Sequence, residues 1–384
     1  MMLLEHDAKE LLAGSGIAVP VGRLVISDMF DMANDAPFTF PQIVKAQVPT
    51  GGRGKAGGVR RVGTAEELAQ TLTEFRNLTI KGHNVRLCRV EELIDGIECY
   101  LSFSLDASRG RLNCLMSAEG GIDIEASAGC GTLHSANSAF THAAASAAAA
   151  DLAKQLPEPA QSAIRNAAPA LISCLFELEA TLIEVNPIFV RADGSWVAGD
   201  VKLVIDDNAL VRQPRILDLI RHRRNHYPEI ALKLDNGFDF IELDPDGEIG
   251  LVTTGAGLSM QLIDELAARG YSAFNFCDIR TGQFRGDPTR LIQVLSWIAK
   301  GRNVRSVLIN FFAGITHLGE VSRLLLAATA AVPELKAPVT ARLIGNGYDE
   351  AVAVLAASGS ELRIEPDLDK AIDLAIASLA RARA

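Results

Sequence analysis

The sequence predicts an α/β protein of two domains: an α+β half with an antiparallel sheet, then a half with a doubly wound parallel sheet. Three observations carry this. A chain of 384 residues is too long for one ordinary core. Up to about residue 230, strand-like runs meet in short turns and helices come in a group. Beyond that point the rhythm turns to strand, helix, strand, the pattern of a parallel sheet covered on both faces. The expected domains are 1–230 and 231–384.

In order along the chain, Glu5 to Ala13 sets apolar residues at helical spacing and stops near Gly14 and Gly16. Val19 to Ile26 reads as a strand, and Phe38 to Val48 as a strand running into glycines. Thr64 with Glu67 three positions on is a capping pair that starts a helix. Val85 to Val90, Glu98 to Leu105 and Leu112 to Ser117 alternate as strands do, with Gly120-Gly121 as a turn. Helices are expected from about Ala139 to Leu156 and from Ser162 to Ala180. Leu182 to Ile188 and Trp196 to Leu203 form a strand pair around the turn Ala192-Asp193-Gly194. Charged residues crowd Arg221 to Pro228 and mark the boundary; a solvated helix face accounts for them better than a nucleic-acid patch. In the second half, strands at Ile249 to Thr253, Ala273 to Cys277, Val304 to Phe312 and Val339 to Leu343 alternate with four helices. These helices are expected at Ser259 to Arg269, Pro288 to Lys300, Glu320 to Ala331 and Tyr348 to Ser358. Ligands of such sheets gather at the carboxyl ends of the strands. The loops from Thr253 to Ser259, Asp278 to Gly286, Ala313 to Leu318 and Gly345 to Tyr348 are therefore the ones to watch.

Bulk properties narrow the function. A formal net charge of −10 argues against nucleic acid or an anionic membrane as the main partner. It leaves room for a local basic loop that binds a phosphate. The six cysteines form no C-x-x-C pair, which suggests buried thiols in a reducing compartment rather than a zinc site. The opening Met1 to Asp7 has neither a basic region nor a long apolar run, and no apolar stretch is long enough to cross a bilayer. A cytoplasmic location is expected.

The segment from Ile43 to Gly58 is the most informative. A β-branched strand carries Lys45 and runs into a stretch holding Gly51, Gly52, Gly54, Gly57 and Gly58, with Arg53 and Lys55 and no acid. Glycines let the backbone approach a ligand, successive bare N–H groups can form an anion nest, and lysine supplies a compact charge for phosphate. It is no Walker A loop, since Lys55 is followed by Ala56, and no G-x-G-x-x-G turn opens a helix there. Alone, the loop fits a ligand-free basic loop as well as a phosphate cradle. Two further segments favour the cradle. Glu91 and Glu98 flank a strand end and can accept from a base amino group or ribose hydroxyls, or can simply form an acidic turn. Glu184 and Asn186 lie two apart on one strand, so they share a face, and Asp200 can lie beside them on the hairpin partner. A carboxylate and an amide oxygen suit a magnesium ion that bridges phosphates; Asn-Pro turn chemistry explains Asn186 and Pro187 but not a glutamate in an apolar strand.

With those residues in view, the chain resembles the β subunit of succinyl-CoA synthetase, within the ADP-forming acid–CoA ligases of the ATP-grasp superfamily. The resemblance begins at His6 to Leu12, covers Val44-Lys45 with Gly51 to Gly58, and continues through Glu119 to Glu125, Ile183 to Pro187 and Asp207 to Gln213. It reaches Gly255 to Leu258 and Asn275-Phe276. It implies an N-terminal ATP-grasp domain and a flavodoxin-like CoA-ligase domain. By this resemblance, Lys45, Gly52, Arg53 and Gly54 hold the phosphates of ATP or GTP. Glu91, the backbone near Ile94, and Glu98 hold base and ribose, and Asn186 and Asp200 bind Mg2+. Glu184 contacts a phosphohistidine carried by a partner α subunit, which also holds the CoA site. The small carboxylic acid sits near Thr254, Gly314, Ile315 and Thr316. The implied reaction makes acyl-CoA, diphosphate nucleotide and phosphate through an acyl phosphate, as in the tricarboxylic acid cycle. A different ATP-grasp carboxylate ligase and a non-catalytic interaction subunit are the alternatives.

The acid site departs from the family pattern. Family members carry asparagine where Thr254 stands, and glycines where Ile279 to Gly282 follow Asn275-Phe276-Cys277-Asp278. The substrate loop is Ala313-Gly314-Ile315-Thr316-His317 in place of Gly-Gly-Ile. Arg280 and His317 are placed to contact a different anionic group, so the acid is expected to be succinate or a related dicarboxylic or sulfonated acid.

Overall fold

The computed structural model describes residues 1–26, 39–121, 132–280, 282, 284 and 286–381. They form two compact units, Met1–Leu219 and Ile220–Ala384. The matched stretch from Ile122 to Glu125, the expected start of a strand at Phe38, and Cys130 and Thr281 lie outside the described residues.

The first unit holds two antiparallel sheets. In the smaller, the strands Gly22–Ile26, Leu87–Glu92, Gln42–Ala46 and Val59–Val62 lie side by side in that order. One face packs on the helix Ala65–Arg76 through Val44, Val62, Val90, Leu68, Leu72 and Phe75, all buried. That helix starts as its sequence predicts: the Thr64 hydroxyl accepts the Glu67 N–H, and the Glu67 carboxylate accepts the Gly63 N–H. The other face carries Lys45 and Glu91. The register sets Lys45 opposite Arg89 and Ile43 opposite Glu91, so charged side chains of adjacent strands share one face.

The larger sheet is built around the strand Ala180–Val190, which pairs with Ile97–Asp106 on one side and with Trp196–Ala198 and Val201–Ile205 on the other. Arg111–Ser117 and His134–Ala139 extend it. Ala139, expected to start a helix, ends this last strand instead. Thr141 caps the helix His142–Ala153 by accepting the Ala144 N–H, so the helix cannot begin before it. The next helix, Ala160–Glu177, stops short of Ala180, which opens the long strand; Glu179 between them takes a positive φ of 49°.

In the second unit the strands Asp239–Glu242, Asn275–Asp278, Ile249–Thr253, Ser306–Ala313, Val339–Gly345 and Arg363–Ile364 lie in that order. The first is antiparallel to its neighbour and the rest are parallel. Counted along the chain, the parallel strands run 2-1-3-4-5, the flavodoxin-like order. The central strands are apolar throughout because both faces are covered: Val252, Ile309 and Phe311 face one core, and Leu251 and Leu308 face the helices Ala256–Ala268 and Leu368–Arg381. No helix among the described residues is long and apolar enough to cross a membrane.

Candidate functional site

In the first unit, three segments distant in sequence converge on one buried cluster of charge. The strand Gln42–Ala46 contributes Lys45. The strand Leu87–Glu92 contributes Arg89 and Glu91. The helix Glu5–Gly14 contributes Glu5 and Lys9, one turn apart on its buried face and paired at 2.7 Å. The Lys45 ammonium meets three acceptors: Glu5 Oε1 at 2.9 Å, Glu91 Oε1 at 2.8 Å and the Gly199 carbonyl at 2.8 Å. Lysine has three N–H donors, so its capacity is filled. Glu91 also takes Lys9 at 2.7 Å and Arg89 Nε at 2.7 Å, and the Arg89 guanidinium donates to the Pro20 carbonyl.

Arg53, in the glycine segment, reaches back into the same cluster. It donates to the Ala46 carbonyl at 3.1 Å, meets Glu5 Oε2 at 2.8 Å and gives Asp200 a hydrogen bond at 2.8 Å. Gly52 precedes it at φ 80°, a conformation that favours glycine. Gly199 is constrained in another way. A Cβ there would stand 2.3 Å from the Phe189 ring, so glycine lets the backbone come close enough for its carbonyl to receive Lys45.

Burial and charge compete in this cluster. Burial pushes the Glu5 carboxyl up, but Lys45, Lys9 and Arg53 outweigh it and hold it well below the usual carboxylate range. Glu91 is likewise lowered, with Lys45 and Lys9 opposing its burial. Asp200 goes the other way: burial raises it, and Arg53 offsets only part of that. Burial works against the Lys45 ammonium too, yet Glu5 and Glu91 raise it above the usual lysine value.

The metal candidates lie at a hairpin. The Asn186 N–H donates to the Asp200 carbonyl at 3.0 Å, and the Gly199 N–H to the Pro187 carbonyl at 2.9 Å, which holds the two residues side by side. Asn186 Oδ1 accepts the Gly121 N–H at 2.6 Å. An amide oxygen and a carboxylate each keep acceptor capacity beyond these bonds. The donors are hard oxygens, few in number, as suits Mg2+ that takes its remaining ligands from phosphates and water. No cluster of three or more His, Cys, Asp or Glu suited to a metal occurs among the described residues. Glu184 sits on the same strand, opposite Ser102 and Lys202. The nearby Tyr100 hydroxyl, bonded to Ser102, is pushed up to about 12 by burial and by the Glu184 charge.

A cavity of about 480 Å³ opens between these elements. Of the residues the sequence singles out, Lys45, Glu91, Ile94, Glu98 and Asp200 line it, with Ile43 and Phe189 as apolar wall. Gly52, Arg53, Gly54, Glu184 and Asn186 are not part of its lining. Glu91, read from sequence beside the base, lies with its oxygens among three cations at the edge of this cavity. Sequence reading missed Glu5, Lys9 and Gly199. The signal for the first two was present: a Glu-x-x-x-Lys pair on the helix face that also carries Ala8 and Leu12.

The second unit presents its loops at the carboxyl ends of its parallel strands. Thr254 follows the first and Gly314, Ile315 and Thr316 follow the third, so both loops lie at the point where strand order reverses. The Thr254 hydroxyl accepts the Phe312 N–H at 3.0 Å, and its own N–H donates to the Asn310 carbonyl. Asp278 accepts the Gly255 N–H at 2.7 Å. Arg280 is exposed. His317 precedes the helix Leu318–Ala331 with Nε2 at 3.8 Å from Glu350.

Fold and site together define a nucleotide-dependent ligase with an ATP-grasp domain and a CoA-ligase domain. The family model described as ATP-grasp domain matches residues 2–190, and that described as CoA-ligase matches residues 252–374. A succinate–CoA ligase [ADP-forming] β subunit of Chloroflexus aurantiacus is 35% identical over 370 residues, covering 93% of this chain and 94% of its own. A [GDP-forming] counterpart from Thermus thermophilus is 33% identical, covering 92% and 93%. The chain belongs to the family of succinate–CoA ligase β subunits. The ATP citrate lyase of Methanothrix soehngenii, solved with citrate and coenzyme A, shares the fold at a TM-score of 0.73 and 17% identity, over 98% of this chain and 99% of that one.

Proposed function

We propose that this chain is the β subunit of an ADP-forming acid–CoA ligase. ATP, a small acid and CoA give acyl-CoA, ADP and phosphate, with a histidine on a partner α subunit carrying the phosphoryl group between sites. The observation that supports this best is Lys45, a buried lysine kept charged by Glu5 and Glu91 that lines a cavity of nucleotide size. Lys45 and the glycine segment with Gly52, Arg53 and Gly54 bind the phosphates. The cavity wall at Ile94 and Glu98 takes base and ribose, with Glu91 at its edge. Asn186 and Asp200 hold Mg2+, which neutralises phosphate charge when bound. Glu184 receives the partner's phosphohistidine. Relatives named for ADP and for GDP occur together, and we assign ATP to this chain.

In the second unit, Thr254, Gly314, Ile315 and Thr316 form the acid site. Here succinate competes with another small dianion, a dicarboxylate or sulfonate. The Thr254 hydroxyl favours the second, because it is tied to the Phe312 N–H and leaves a contact surface different from that of an amide side chain. A CoA-dependent ADP-release assay tests both statements. It is run on the chain with and without a co-expressed α partner, across dicarboxylates and sulfonated acids. Activity that needs the partner and one acid is expected. A preference for succinate over every other acid removes the altered-acid reading, and no activity in a complex that binds ATP removes the ligase reading.

A further inference from the structure

The first helix has no role in the reaction described above, yet it supplies the carboxylate shared by Lys45 and Arg53. Glu5 is 3% exposed, meets Lys45 and Arg53 through different oxygens, and pairs with Lys9 behind them. We propose that Glu5 is a positioning residue of the nucleotide site, fixing both cations for the phosphates; this rests on reading the cavity as the nucleotide's.

Two features carry the inference. Glu5 does not line the cavity, whereas Lys45 and Glu91 do. It therefore holds Lys45 from behind, together with Arg53, which also lies outside the lining, and does not occupy the place of a ligand. The pairing also allows exchange. A phosphate oxygen that takes the place of Glu91 on Lys45 leaves Glu91 with Lys9 and Arg89, so no buried carboxylate is left unpaired. Glu5 has no such freedom, since it is the one carboxylate that Lys45 and Arg53 share, and releasing it would leave each of them with one contact fewer at the same moment. A lysine on a flexible four-carbon stem gains most from being pinned before its ligand arrives.

The test is calorimetric titration of the full-length chain with Mg-ATP and, separately, with adenosine. Glu5→Gln keeps the shape and removes the charge. It should weaken ATP binding about tenfold or more, the scale set by breaking a buried charged contact, and leave adenosine unchanged. Glu5→Asp keeps the charge on a shorter stem and should fall between the two. A purely structural role would weaken both ligands alike and overturns the proposal. So does ATP binding that is unchanged or tighter in Glu5→Gln, the second being the mark of a carboxylate that competes with phosphate. If Glu5→Gln does not fold, Glu5→Asp carries the test: weaker ATP binding with unchanged adenosine supports the role, and binding equal to wild type overturns it. A wild-type chain that binds neither ligand fails at the underlying reading, before Glu5 is at issue.

Discussion

The site in the first unit and the loops of the second are built on opposite plans. In the first, every cation of the cluster has found a carboxylate or carbonyl of this chain: Lys45 meets three acceptors, Arg53 meets Glu5 and Asp200, and Lys9 sits wholly buried between Glu5 and Glu91. In the second, two of the residues proposed to read the acid, Gly314 and Ile315, are presented outward, while Thr254 and Thr316 are half-buried. Ile315 is 97% exposed, Phe312 beside Thr254 is 59% exposed, and a Cβ on Gly314 would meet nothing within 4 Å. The difference teaches where each site gets its order. One is organised in advance by its own side chains, as charge handling in a dry setting requires. The other has its backbone fixed by strand ends and the Thr254 hydroxyl, and leaves the exposed Ile315 to be covered by what binds.

The strongest break of this contrast is at Lys45. Lys45→Met should lower ADP release by about 10²–10³-fold, as loss of a preorganised electrostatic donor does. It also removes a cation that answers both Glu5 and Glu91, so the melting temperature should fall as well. Turnover near the wild-type rate would show that the cluster is not where phosphates are handled. The matching change in the second unit is Thr254→Val, which deletes the hydroxyl that accepts the Phe312 N–H. It should change the ratio of kcat/KM between two acids by about 10-fold or less, the range of a single pocket contact, with ATP affinity unchanged. A change in ATP affinity of similar size would erase the separation of the two plans.

The smallest effect concerns pH. Glu5 and Glu91 are held below their ordinary pKa by Lys45, Lys9 and their neighbours against the push of burial. Their contribution to stability is therefore complete above the ordinary glutamate value of about 4.3 and is lost as pH falls through the lowered one. Asp200 is raised by burial, so its charged form costs stability near neutral pH, and protonating it on the way down offsets part of the loss. Thermal melting should be nearly flat from neutral pH to about 5 and decline below about 4. The gap in melting temperature between wild type and Glu5→Gln should narrow over the same acid range. A gap that stays constant would mean that Glu5 is not ionised in the folded chain.

How much of this was legible follows the same division. The glycine segment, Lys45, the Asn186–Asp200 pair and the parallel half with its loops were visible, because each is written in a short stretch of sequence with its own chemistry. The Thr64 cap was visible for the same reason. The place of Glu91 among Lys9, Lys45 and Arg89 was not, since it depends on strand register and on a helix docking some 80 residues away in sequence. Glu5 was not singled out for the same reason. The antiparallel strand Asp239–Glu242 was missed because its sequence, Asp-Phe-Ile-Glu, is too short and too polar to announce a sheet edge. The final helix Leu368–Arg381 lies beyond the last turn singled out in the sequence, although its apolar spacing is regular.

The internal pairing of the charge cluster has a kinetic consequence. Lys9, Lys45, Arg53 and Arg89 are largely answered at close range by Glu5, Glu91 and Asp200, so little of their field extends beyond the roughly 8 Å over which charges are felt at physiological ionic strength. A polyanion diffusing toward the chain first meets the field of a molecule with net charge −10, and feels the cations only after it has entered. Added salt should then hasten the encounter by screening that repulsion, the reverse of what an exposed basic groove would show.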